Sequence, residues 1–146
     1  MKRTSFEKDS NGEYAELFLN VRDFIKICIG NDAKEKYSEN ITTLYSKEGG
    51  FCYIKVKENY IHIGWFRGKY LNDKFKLLFG KGKSIRGQKV YQLDKVTRDT
   101  IKYYVNETLM FLLEHNELIK IRKWYYYLSI LLKRAFFIFD INKKLS

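Results

Sequence analysis

The sequence predicts an α+β domain of two layers: a mostly antiparallel sheet with N-terminal and C-terminal helices packed on one face, plus an extra C-terminal helix. Three observations predict it. Apolar residues recur at intervals of three and four from Tyr14 to Cys28. The period drops to two between residues 51 and 66. It returns to three and four after Asp94 and holds almost to the end of the chain.

The elements follow in order. Residues 10–30 read as a helix, with Ser10 and Glu13 at capping-box spacing and Gly30 as its stop. A short helix is expected from Asp32 to about Tyr37. Ile41–Ser46 reads as a strand and Lys47–Gly50 as a turn. Phe51–Lys57 and Tyr60–Phe66 form a hairpin about Glu58-Asn59, because a two-residue loop then pairs Val56 with Ile61, Ile54 with Ile63 and Cys52 with Trp65 on one apolar face. The other face carries Phe51, Tyr53, Lys55, Lys57, Tyr60, His62 and Phe66. Asn72 or Asp73 opens a short helix through Leu78, Gly80–Lys83 is a loop, and Ile85–Leu93 a strand. Asp94 or Thr97 starts a helix ending near Asn116, and a last helix covers residues 117–139. We therefore expect one α+β domain over residues 1–116 and a helical extension over 117–146, packed on the domain or on a dimer partner.

A chain of 146 residues, with 45% apolar residues, is long enough to build its own core. It contains no proline, so turns fall to Gly, Asn, Asp and Ser. Cys28 and Cys52 read as reduced thiols on apolar faces, and two cysteines with two histidines make no zinc ligand set. The charged N-terminus has no apolar signal region, and the run Trp124–Leu132 is too short to span a bilayer, which points to a cytoplasmic protein without a transmembrane segment. The net charge of +11 is localised. Residues 67–89 hold eight Lys/Arg and one acid, and residues 118–146 hold seven Lys/Arg and one acid, whereas residues 1–66 balance at ten of each. A concentrated positive field attracts phosphates, nucleic acid or anionic lipid.

The pieces Phe51–Ile54, Tyr60–Gly68, the run LLFGKGK at 77–83 and Arg86–Val90 resemble the YdhG-like domain of unknown function, a small bacterial α+β domain grouped with frataxin-like iron chaperones. Gly87 stands at the family's His position, the family's Trp-Gly-x-Pro motif is not evident, and the final thirty residues have no counterpart. The resemblance implies an intracellular iron-binding role as one alternative. On the residues themselves, Glu13, Glu16 and Asp23 share one helix face and Asp32, Glu35 and Glu39 are similarly spaced, but lysines and arginines are interleaved with both sets.

The sharpest chemical signal is the basic glycine loop. Glycines let successive N–H groups turn toward one anion, and the anion-binding candidates are Arg67, Gly80, Lys81, Gly82, Lys83, Arg86 and Lys89. Gly82-Lys83-Ser84 mimics the end of a P-loop without its full spacing. Catalytic motifs with HExxH, GxSxG or GxGxxG spacing are absent, and the hairpin register separates His62 from Cys52, so we expect a non-enzymatic binding module with no cofactor. Its expected partner is a phosphate-bearing ligand or an acidic protein. Nucleic acid on the Tyr53/Tyr60/Phe66 face is a second alternative, and the last helix is a candidate homodimer seam.

Overall fold

The computed structural model describes residues 2–145 and divides the chain into two units between Leu112 and Leu113. In the first unit, helix α1 is Ser5–Asp9. The Thr4 hydroxyl accepts from Glu7 N at 3.2 Å while the Glu7 carboxylate accepts from Thr4 N at 3.3 Å, a reciprocal cap on two otherwise unbonded donors. The expected single helix over 10–30 is thus corrected: Ser10 closes α1, Asn11-Gly12 turns the chain, and α2 begins afresh and covers Ala15–Ile29. Gly30 ends it as expected, at φ +116, a region that side chains rarely adopt.

Five strands follow in the order β1-β2-β3-β4-β5, every neighbouring pair antiparallel. They are β1 (Lys34–Tyr37), β2 (Thr42–Ser46), β3 (Gly49–Lys57), β4 (Tyr60–Trp65) and β5 (Arg86–Val90). Strand β1 replaces the short helix expected over 32–37. One helical turn closes few hydrogen bonds, whereas the strand pairs residue for residue with β2, from Lys34 against Tyr45 to Tyr37 against Thr42. The β3–β4 hairpin has the register read from the sequence, with Cys52 opposite Trp65, Ile54 opposite Ile63 and Val56 opposite Ile61. Its loop places Glu58 at φ +46.

Phe51 is a correction. Between β2 and β3 the register shifts, with Leu44 opposite Cys52 but Tyr45 opposite Gly50, so Phe51 is the extra residue of a bulge. The bulge turns its ring into the core, fully buried beside Cys52, and not onto the outer face. The short helix expected over 72–78 is also absent. A 3₁₀ turn at Gly68–Tyr70 leads into an irregular segment held by Asp73, whose carboxylate accepts from the N–H groups of Leu77 and Leu78 at 3.1 and 3.2 Å and from the Tyr104 hydroxyl.

Asp94 caps α3 by accepting from Thr97 N at 2.9 Å. Helix α3 extends from Lys95 to Leu145 without a break, so the expected stop near Asn116 does not occur. Asn116-Glu117 is neither Gly nor Pro, and nothing in it costs enough to end a helix whose next residues are strong helix formers.

The core lies on one face of the sheet. Phe18, Val21 and Ile25 of α2 and Ile101, Tyr104, Val105 and Leu112 of α3 bury against Leu44, Ile54, Ile61, Ile63 and Trp65. Burying each of these side chains stabilises the fold by roughly 1.5–3 kcal/mol. A polar chain is threaded through this layer: Trp65 Nε1 donates to Gln88 Oε1 at 3.0 Å, and Gln88 Nε2 donates to Thr100 Oγ1 at 3.1 Å. All the polar atoms in that chain are satisfied, which is what makes their burial tolerable.

The second unit, described over residues 113–145, is a continuation of α3. Most of its apolar side chains are exposed, and its surface ion pairs include Lys120–Glu117 and Lys144–Asp140. No helix among the described residues is long and apolar enough to cross a membrane.

Candidate functional site

The seven candidate anion-binding residues do not converge. Strand alternation separates two of them: Arg86 pairs opposite Trp65, on the helix-covered side of the sheet, while Lys89 pairs opposite His62 on the outer side. Arg67 lies over the ring of Phe111 at 5.8 Å, with its Nε buried and unpartnered. These three side chains therefore work in three different places.

Arg86 serves the loop from within. Its Nη1 donates to the carbonyls of Gly82 at 2.7 Å and Ile85 at 2.8 Å, clamping the curve of residues 82–85. The loop is anchored at three further points. Phe79 and Gly87 exchange two backbone hydrogen bonds of 3.0 and 2.8 Å, Lys69 N donates to Ser84 O at 2.9 Å, and Gly80 takes φ +125. Gly68 permits the close approach, since a Cβ there would lie 2.9 Å from Arg86 N. Within this frame the N–H groups of residues 80–85 donate to no protein acceptor among the described residues. Lys81 and Lys83 are exposed beside them. Free donors on a glycine-bent loop between two ammonium groups have the composition of an anion-binding concavity.

Lys89 belongs to the adjacent outer face of the sheet. Its Nζ lies 5.2 Å from the Tyr60 ring and 5.5 Å from the Phe79 ring, so the loop's own Phe79 joins the two regions. Here Gly64 and Gly87 stand side by side across β4 and β5. Their missing side chains make room for rings: a Cβ on Gly64 would collide with Tyr53, and one on Gly87 would lie 2.6 Å from His62 and 2.7 Å from Phe79. The imidazole of His62 fills this socket and is buried. Burial, then the charges of Lys57, Lys55 and Lys89, push its pKa down to about 4, so it is neutral near pH 7. The Tyr53 hydroxyl is 3.1 Å from His62 Nε2. The other ring nitrogen, Nδ1, is buried without a hydrogen-bond partner.

The same packing works against an open stacking platform. Tyr60 and His62 are buried, and Tyr53, His62, Phe66 and Phe79 contact one another ring to ring. Two of the acidic residues are likewise engaged. Glu35 accepts from Lys26 at 2.6 Å, from Arg22 at 3.2 Å and from the Tyr37 hydroxyl at 2.8 Å, and Asp23 is paired with Arg22 at 3.0 Å. Burial raises the Glu35 pKa, but these hydrogen bonds and charges outweigh it and hold the carboxyl below its ordinary value. No group of three or more His, Cys, Asp or Glu side chains able to hold a metal ion occurs among the described residues. Cys52 is buried, and desolvation drives its pKa far up; His62 lies on the opposite face of the same hairpin.

Sequence reasoning found the loop and its lysines but missed what surrounds them. It named Arg86 as a candidate ligand and did not foresee its hydrogen bonds to the Gly82 and Ile85 carbonyls. The Gly64–Gly87 pair had a signal available, because two strand-interior glycines at paired positions mark a place where something else approaches the backbone. Compared with known proteins, the chain matches no family model, and no curated protein or solved structure matches it significantly.

Proposed function

We propose that the protein is a non-enzymatic binding module that holds a phosphate-bearing ligand or an acidic partner at the basic loop Gly80–Lys83, with Lys89 at its border. The observation that supports this reading is the loop's construction. Arg86 and the Phe79–Gly87 bridge fix its shape, its N–H groups donate to no acceptor among the described residues, and Lys81 and Lys83 are exposed beside them. A loop whose shape is already fixed binds without the ordering cost that a flexible lysine-rich turn incurs. The exposed side chains of Leu77, Phe79 and Ile85 add apolar edges to the same surface.

The other readings have less support. Iron binding needs free carboxylates close together, and Glu35 and Asp23 already hold cations. Nucleic-acid stacking needs open rings, and those of Tyr60 and His62 are covered.

The test is retention on phosphocellulose over a salt gradient. Lys81→Ala/Lys83→Ala should elute at clearly lower salt than the parent. Lys120→Ala/Lys123→Ala, which removes the same charge from the second unit, should shift elution less. Equal shifts for the two variants, or no shift for the first, would show that the loop is only a charged turn.

A further inference from the structure

We propose that the helix from Leu118 to Phe139 lies on the surface of an anionic lipid bilayer. The argument begins with the pattern of charge. At 100° per residue, Ile121, Trp124, Leu128, Leu132, Phe136 and Phe139 fall within an arc of roughly 120°, and no charged residue of the segment projects into it. These six side chains are 45% to 74% exposed. The rest of the circumference carries Lys120, Arg122, Lys123, Lys133 and Arg134, and the segment holds no acid; Glu117 and Asp140 stand just outside it. An apolar arc backed by cations is the pattern of a helix lying in the headgroup region, with the long basic side chains reaching up to phosphates. Trp124 to Tyr127 add four consecutive aromatics, the residue types that favour that layer.

A second copy of the helix fits less well. Two such segments would set Lys120, Arg122 and Lys133 of each copy along the flanks of the seam, with no carboxylate between Leu118 and Phe139 to pair with them. The segment lies flat and does not cross, since Lys133 and Arg134 interrupt it and no described helix is apolar enough to span.

The experiment is cosedimentation of the full chain with vesicles of phosphatidylcholine containing about a third phosphatidylglycerol, against vesicles of phosphatidylcholine alone. Binding is expected to the first at 0.1 M salt and at least tenfold weaker to the second. Lys133→Glu/Arg134→Glu should weaken binding about 30-fold or more, given the worth of each cation near an anionic surface. Leu128→Glu/Leu132→Glu should abolish it with the thermal midpoint unchanged, since both side chains are exposed. Lys81→Ala/Lys83→Ala should leave it intact, which separates this surface from the phosphate loop. Equal binding to both vesicle types, no binding to either, or loss only in the loop variant would overturn the proposal. So would a stable dimer in analytical ultracentrifugation that no vesicle captures.

Discussion

The protein's two tryptophans mark the contrast between its two regions. Trp65, on β4, is fully buried, its indole N–H donating to Gln88 and its ring 5.8 Å from that of Tyr104. Trp124, on α3, is 67% exposed. Both lie in stretches of similar apolar content, and both stretches show regular apolar periodicity. In residues 2–112 the periodicity meets a partner: the stripes of α2 and of the first turns of α3 close onto one face of the sheet. In residues 113–145 the same kind of pattern is left open to solvent. Apolar periodicity thus reports what a segment needs to bury, and leaves the identity of the burying surface unstated.

The largest test of this contrast compares the two indoles directly. Trp65→Ala removes a buried ring and orphans the Gln88 carbonyl oxygen, and should cost about 3–5 kcal/mol in urea unfolding. Trp124→Ala should cost no more than about 0.5 kcal/mol. Comparable losses would mean that the long helix is packed as tightly as the core.

A smaller effect is expected on the outer face, where Gly87→Ala forces a methyl group to within 2.6 Å of His62 Cε1. Overpacking of this kind costs about 1–3 kcal/mol. Denaturation midpoints check it, and a neutral result would show that the His62 and Phe79 rings yield freely.

A third test is a pH series. In the unfolded chain His62 takes up a proton as pH falls through its ordinary value of 6.5, whereas in the fold it stays neutral down to about 4. The unfolded state therefore binds the extra proton between these values. Stability should be complete above pH 6.5, decline as pH falls toward 4, and level off with respect to this group below that. NMR titration of the imidazole checks the shift, and a midpoint near 6.5 would mean that the socket is open to water.

Much of the fold was legible because period two and a two-residue loop leave only one register that keeps all the apolar residues together: Cys52, Ile54, Val56, Ile61, Ile63 and Trp65 are where the pattern put them. The elements that were not legible have weak local signals. Strand β1 carries Lys34, Glu35 and Lys36 and has no apolar alternation, so only its pairing to β2 makes it a strand. The bulge at Phe51 breaks the count by one, and Gly49-Gly50 beside it was its only hint. The split between α1 and α2 was marked by Asn11-Gly12 and by Thr4 with Glu7, weaker to the eye than the apolar stripe that follows. In the candidate site, residue type identified the cations, but the placement of Arg67, Arg86 and Lys89 depended on strand pairing and on Phe111, far along the chain.

The two margins of the sheet carry a consequence for the protein's behaviour at high concentration. A strand with unpaired backbone groups is a template for another molecule's strand, and growth from such an edge ends in aggregates. On one side β1 is four residues long and bears two lysines and a glutamate, which makes a poor template. On the other, Phe79 and Gly87 use both of their backbone groups on each other and block β5 near its start. The sheet is open in its topology, yet both margins are guarded against self-propagation, one by charge and brevity and the other by a single bridge.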